Sequence, residues 1–284
     1  MQGHQVRESL HNGQVIYGTH VCGLINPIAA QILSMAPIDF AFIGTEHMPL
    51  DRSELSIMCH LYAAKGISPV VRIPYPCGRQ AAMAMDGGAQ GIVAPYVETV
   101  QEVREIVGAV RYRPLKGELL EQFLDGSREP DDKTISFLDR FNQENYTIIG
   151  IESVAAYKNL NALISVPGVD GVFIGPHDLT CSLEAPEEYD NPDFIQIIED
   201  IIVRCRDASV GVGLHFVSTA FSVEQVRRFI ELGMNWVIDG SDAGHAQQNM
   251  FQRRRQLCGD EKPHDRGVAS QNISSCQSSR EEKD

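Results

Sequence analysis

Short apolar runs rich in β-branched residues alternate along this chain with longer segments whose apolar residues recur every three or four positions. The runs are VIYGTHV (15–21), IDFAFIG (38–44), ISPVVRI (67–73), QGIVAPY (90–96), YTIIGIE (146–152), DGVFIGP (170–176), VGVGLHF (210–216) and NWVIDG (235–240). Helical periodicity falls between them on 26–36, 51–65, 78–87, 98–110, 153–165, 191–208 and 221–232, with a closing helix at about 242–257. Strands that are apolar on both faces need cover on both faces, and parallel neighbours need helical crossovers. Eight strand–helix units therefore predict an α/β fold of the closed (β/α)8 TIM-barrel kind. The alternative is an open doubly wound sheet, but no G-x-G-x-x-G phosphate turn follows the first run.

Two segments break the repeat. Residues 111–145, RYRPLKGELLEQFLDGSREPDDKTISFLDRFNQEN, are long and polar and predict two short helices inserted between the fourth strand and the fifth, an excursion suited to contact with a neighbouring subunit. From Asp260 onward the chain is Ser-rich and charged without apolar periodicity, so 260–284 is expected to be a disordered tail behind a single catalytic domain over 1–259.

Composition narrows the function. At 284 residues, with 43% hydrophobic and 22% charged residues, the chain can bury a sizeable core. There is no run of eighteen apolar residues and MQGHQVRESL lacks the order of a secretory signal, so a soluble cytoplasmic protein with no membrane partner is expected. Seven cysteines, scattered and never in a C-x-x-C pair, read as reduced thiols rather than disulfides or a zinc site. A net charge of −14 opposes nucleic acid, and Arg253-Arg254-Arg255 reads as a positively charged helix end.

Barrel enzymes carry their chemistry at the C-terminal ends of the strands. In chain order the polar residues there are His20, Glu46 with His47, Arg72, Glu152, Asp178, His215, and Asp239 with Asp242. Glu152 and Asp178 follow adjacent strands, whose spacing of about 4.8 Å puts two carboxylates within reach of one hard cation. Mg²⁺ is the expected ion, and the same donors accept Mn²⁺ or Co²⁺. Each carboxylate has a plain alternative as the cap of the next helix. Arg72, alone in an apolar strand, either stabilises a developing enolate oxygen or pairs with Glu46 or Glu152. His47 is a candidate proton carrier. The turn Gly175-Pro176-His177-Asp178 offers backbone N–H groups to a substrate carboxylate. No lysine falls at a strand end, which disfavours a Schiff base.

Taken in order, FIGTEHMPLD, SPVVRIP, DGGAQGIVAPYVETVQEV, IGIES and VPGVDGVFIGPHDLTCSLE resemble the HpcH/HpaI aldolase family over about residues 18–250. The resemblance implies a divalent metal on Glu152 and Asp178, an enolate-stabilising Arg72, His47 as the histidine of a D-G-E-H motif, a 2-oxo acid substrate such as pyruvate or oxaloacetate, and a homohexamer. Two positions depart from the family pattern: its motif Asp is Gly44, and its Gln two residues before the metal Glu is Gly150. Aldol cleavage needs a base for the 4-hydroxyl proton, whereas decarboxylating oxaloacetate makes the enolate directly, so the missing Asp tilts expectation toward decarboxylation-linked enolate chemistry. The alternatives are a class II aldolase that cleaves 4-hydroxy-2-oxo acids to pyruvate and an aldehyde, and a catalytically impaired barrel that binds a metabolite.

Overall fold

The computed structural model describes residues 1–23, 26–215 and 220–259. Eight strands, β1 (Ile16–His20), β2 (Phe40–Gly44), β3 (Ser68–Arg72), β4 (Gly91–Ala94), β5 (Tyr146–Ile151), β6 (Gly171–Ile174), β7 (Gly211–Leu214) and β8 (Trp236–Ser241), pair in parallel and close in chain order. β1 completes the barrel by pairing with both β2 and β8. The helices are α1 (Gly3–Asn12), α2 (Pro27–Leu33), α3 (Arg52–Ala64), α4 (Gly78–Asp86), α5 (Val100–Arg111), α6 (Gly117–Asp125), α7 (Asp132–Phe141), α8 (Val154–Ile164), α9 (Pro176–Ser182), α10 (Pro192–Asp207), α11 (Val223–Glu231) and α12 (Asp242–Cys258). Met1–Ala243 form one compact unit, and a second unit begins at Gly244, within α12. The expected tail, 260–284, and Phe216 at the end of the seventh apolar run lie outside the described residues.

The apolar strand runs are buried on both faces, as parallel barrel strands require. One cluster of side chains fills the space between strands and helices. A second lies inside the barrel, where Phe40, Phe42, Tyr146, Phe173 and Trp236 pack with Val6 and Leu10 of α1. Helix α1 closes the N-terminal end of the barrel, and the sequence reading gave it no place. Only two apolar side chains, Val6 and Leu10, are fully buried on it, four residues apart. That is too short a pattern to stand out as a helical period; its apolar partners are the strands. β7 makes room for the plug, since a Cβ on Gly211 would lie 2.4 Å from Leu10.

The insertion forms α6 and α7 between β4 and β5, as its pattern predicts. Asn145 and Asn142 tie its return to the end of α5 through bonds from Asn145 Nδ2 to the Val110 carbonyl (3.0 Å) and from Asn142 Nδ2 to the Arg111 carbonyl (3.0 Å). Among the described residues no helix is long and apolar enough to cross a membrane, and the six cysteines are free thiols.

A buried amide helps to pin the plug to the barrel, beside the Arg206 guanidinium, which donates to the Leu10 and His11 carbonyls. Asn235, 0% exposed, donates from Nδ2 to the carbonyls of Ser9 and Leu10 (each 3.0 Å) and accepts at Oδ1 from the Val212 N–H (3.0 Å). Asn235→Ala strands the buried Val212 N–H, while the Ser9 and Leu10 carbonyls keep the Gly13 N–H and Arg206 as donors, and is expected to cost about 1–3 kcal/mol in chemical denaturation. An unchanged denaturation midpoint would show that α1 docks without it.

Candidate active site

The strand ends bring Arg72, Glu152 and the turn before Asp178 to the same mouth. Arg72 is the last residue of β3 and pairs in register with Gly44 of β2 and Val93 of β4. Glu152 directly follows β5, and Gly175 directly follows β6.

Glu152 is 4% exposed. Its Oε2 accepts the Tyr96 backbone N–H at 2.8 Å, and its Oε1 faces the end of β6, where a Cβ on Gly175 would come within 2.7 Å. Gly175 is therefore the residue whose lack of a side chain leaves this oxygen its space. Burial pushes the Glu152 carboxyl up to about 8; the carboxylates of Asp178 and Glu46 add to the rise, while the Tyr96 N–H and Arg72 oppose it. The capping alternatives do not hold for either carboxylate. Ser153 caps α8, accepting from Ala156 N, and Gly175 takes the cap position of α9, leaving Asp178 partly buried in the first turn.

Arg72 is 5% exposed, with its guanidinium 5.8 Å from the centre of the Phe42 ring. Its Nε lies 3.3 Å from Glu46 Oε2, so the ion pair anticipated as the plain reading is present, although without hydrogen-bond geometry. Glu46 also accepts from the Tyr96 hydroxyl at 2.5 Å, and His47 Nε2 stands 3.5 Å from the same carboxylate. The His47 side chain is 65% exposed, so it sits at the rim rather than beside Glu152. His177 is exposed as well, with Nδ1 3.5 Å from the Tyr189 hydroxyl. Pro176 opens α9, and the N–H groups of its first turn have no acceptor within the helix, the property that made this turn a candidate carboxylate seat.

Below the mouth, His20 and His215 stand 5.8 Å apart between ring centres, over Phe42 and Phe173. Burial, with Arg72 nearby, pushes His20 down to about 4 and His215 well below its ordinary value, so both imidazoles are neutral at neutral pH. Gly44 faces this pair: a Cβ there would lie 3.1 Å from His20 Nε2 and 3.9 Å from Arg72 Nη2.

Tyr96 is the residue that the sequence reading missed. The apolar run placed it at the end of the fourth strand, but β4 stops at Ala94 and Tyr96 turns into the left-handed region at φ 54°. Such a conformation costs a non-glycine residue about 1–2 kcal/mol and is held here by contacts to two carboxylates. Proline just before it, at a strand end, was the only local signal.

Among the described residues no three His, Cys, Asp or Glu side chains converge as a metal centre. The donor set nevertheless fits a divalent ion with open positions. It offers hard oxygens, and the Glu152 carboxyl, raised first by burial and then by the Asp178 and Glu46 carboxylates, is when ionised a buried negative charge that a cation would relieve.

The profile of the HpcH/HpaI aldolase/citrate lyase family matches residues 22–248. The chain belongs to this family. It is 32% identical to the hydroxypyruvate/pyruvate aldolase of Deinococcus radiodurans over 224 residues, 78% of each chain. It is 31% identical to a 4-hydroxy-2-oxo-heptane-1,7-dioate aldolase of Salmonella dublin over 224 residues, 78% of this chain and 82% of that one. Among solved structures it is similar to macrophomate synthase, with a TM-score of 0.67 and 23% identity over 90% of both chains, a likeness that carries the fold alone. The chain is thus an enzyme of an aldolase and lyase family.

The raised Glu152 carboxyl has a sign that can be tested. Its value, about 8 against an ordinary 4.5, means that the stability it contributes is complete below 4.5 and is lost as pH rises through 8. A metal ion held by Glu152 would have to displace that proton, so Mn²⁺ affinity measured by calorimetry is expected to rise about tenfold per pH unit below about 8 and then level off. A pH-independent affinity between pH 6 and 8 would contradict this.

Proposed function

We propose that this enzyme is a metal-dependent aldolase of 2-oxo acids, cleaving 4-hydroxy-2-oxo acids to pyruvate and an aldehyde or running the reverse addition. The observation that carries the reading is the convergence of Glu152, Asp178 and Arg72 at one barrel mouth in a chain whose relatives are named as aldolases of this kind. Glu152 through Oε1, together with Asp178, would hold the divalent ion. Such an ion supplies Lewis-acid polarisation of the substrate's 2-oxo group. The first turn of α9, Gly175 to Asp178, faces the substrate carboxylate. Arg72, oriented by Glu46, holds the oxygen that becomes negative as the C3–C4 bond breaks. His47, at the rim, takes the 4-hydroxyl proton directly or through water, and C3 is then protonated to give pyruvate.

This ordering reverses the expectation drawn from Gly44. The relatives weigh toward aldol chemistry, and the position opposite Gly44 is lined by a neutral imidazole, His20, rather than left without a polar group. Decarboxylation of oxaloacetate is the second reading, since it needs no base for a hydroxyl proton. Pyruvate release from 4-hydroxy-2-oxo acids, compared with CO₂ release from oxaloacetate on the same metal-loaded preparation, separates the two. Specificity (kcat/KM) is expected to favour the aldol substrates, and the opposite ranking would restore decarboxylation as the main activity.

Arg72→Lys is expected to lower kcat by about 10²–10³, because a point charge does not reproduce the fixed guanidinium at a developing oxyanion. A kcat within severalfold of wild type, with a reduced melting temperature, would leave Arg72 as the ion-pair partner of Glu46 and no more.

A further inference from the structure

We propose that Tyr96 is a positioning residue that fastens the Glu152 carboxylate to the Glu46–Arg72 pair, and that Gly150 is what allows it to reach them. One residue makes both contacts: its backbone N–H to Glu152 Oε2 at 2.8 Å and its hydroxyl to Glu46 Oε1 at 2.5 Å. The other oxygen of Glu46 stands 3.3 Å from Arg72 Nε, so the chain of contacts runs from Glu152 to the guanidinium through Tyr96. The left-handed backbone at Tyr96 (φ 54°), a residue 41% exposed, turns the N–H toward β5 while the side chain reaches back across the mouth to Glu46 in the loop after β2.

The loop lies this close because Gly150 has no side chain. A Cβ there would meet Pro95 Cα at 3.0 Å, the Ala94 carbonyl oxygen at 3.1 Å and Glu152 Cδ at 3.3 Å. A side chain there makes these neighbours give by a few tenths of an ångström, shifting the Pro95–Tyr96 strap or the carboxylate. The glycine thus brings in a neighbouring backbone donor.

The inference rests on the proposed roles of Glu152 and Arg72, and the two arms of its test keep the failures apart. In the first, Tyr96→Phe removes one oxygen and keeps the N–H. It is expected to lower kcat about tenfold with KM, Mn²⁺ affinity and melting temperature unchanged, whereas a merely structural tyrosine would shift the melting temperature instead. If the hydroxyl acts through Glu46, Tyr96→Phe combined with Glu46→Gln loses no more activity than Glu46→Gln alone. In the second arm, Gly150→Ala is expected to weaken Mn²⁺ binding about tenfold by calorimetry in a folded barrel. A wild-type kcat in Tyr96→Phe, multiplicative losses in the double variant, or wild-type Mn²⁺ affinity in Gly150→Ala would each overturn the proposal. A wild-type protein that binds Mn²⁺ yet turns over no 2-oxo acid overturns the proposed activity, and the Gly150→Ala affinity then decides the positioning role alone.

Discussion

A carboxylate buried among other carboxylates governs this site. Glu152 is almost fully removed from water, with Asp178 and Glu46 close enough to raise its pKa further. Burying a charge costs several kcal/mol, while a hydrogen bond to a charged group returns about 1.5–3 kcal/mol. The single N–H from Tyr96 therefore does not balance the ionised form. A proton does so at neutral pH, and under the proposed function a divalent ion would compete with it for the same oxygens.

The rest of the barrel makes that competition consequential. Helix α1 closes the floor with Val6 and Leu10, and the aromatic layer of Phe42, Phe173 and Trp236 fills the interior above it. Two neutral histidines lie over that layer, so the charged groups at the mouth look down onto a surface of low polarity. Arg72, a residue 5% exposed and held from one side by Glu46, would on the proposed function act on an oxyanion from within these low-polarity surroundings.

The eightfold alternation was legible because parallel barrel strands are apolar on both faces and their helices on one, two signals that survive in a single sequence. The phase of the strands also placed Glu152, Arg72 and the Gly175–Asp178 turn at the mouth. What sequence could not supply were relations between segments far apart in the chain. Glu152 and Asp178 each keep an alternative reading as a helix cap that the sequence alone does not remove; Ser153 and Gly175, which occupy those positions, remove it. Gly44 and Gly150 read as lost polar groups, yet His20 lies against the first and the Pro95–Tyr96 strap against the second. A glycine records only that a side chain is missing; what fills its place is set by the neighbouring strand. The tilt toward decarboxylation came from counting the loss at Gly44 alone.

The central claim is that this barrel forms the enolate of a 2-oxo acid with a divalent ion held by Glu152 and Asp178. Hydrogen–deuterium exchange at the methyl group of pyruvate, followed by proton NMR in D₂O, reports that step without reference to any aldehyde partner. The account predicts exchange with Mg²⁺-loaded protein, its loss after exhaustive chelation, its return on adding Mg²⁺, and no recovery in Glu152→Gln at the same metal concentration. Exchange at the wild-type rate in verified metal-free protein, or none in the metal-loaded wild type, would contradict it.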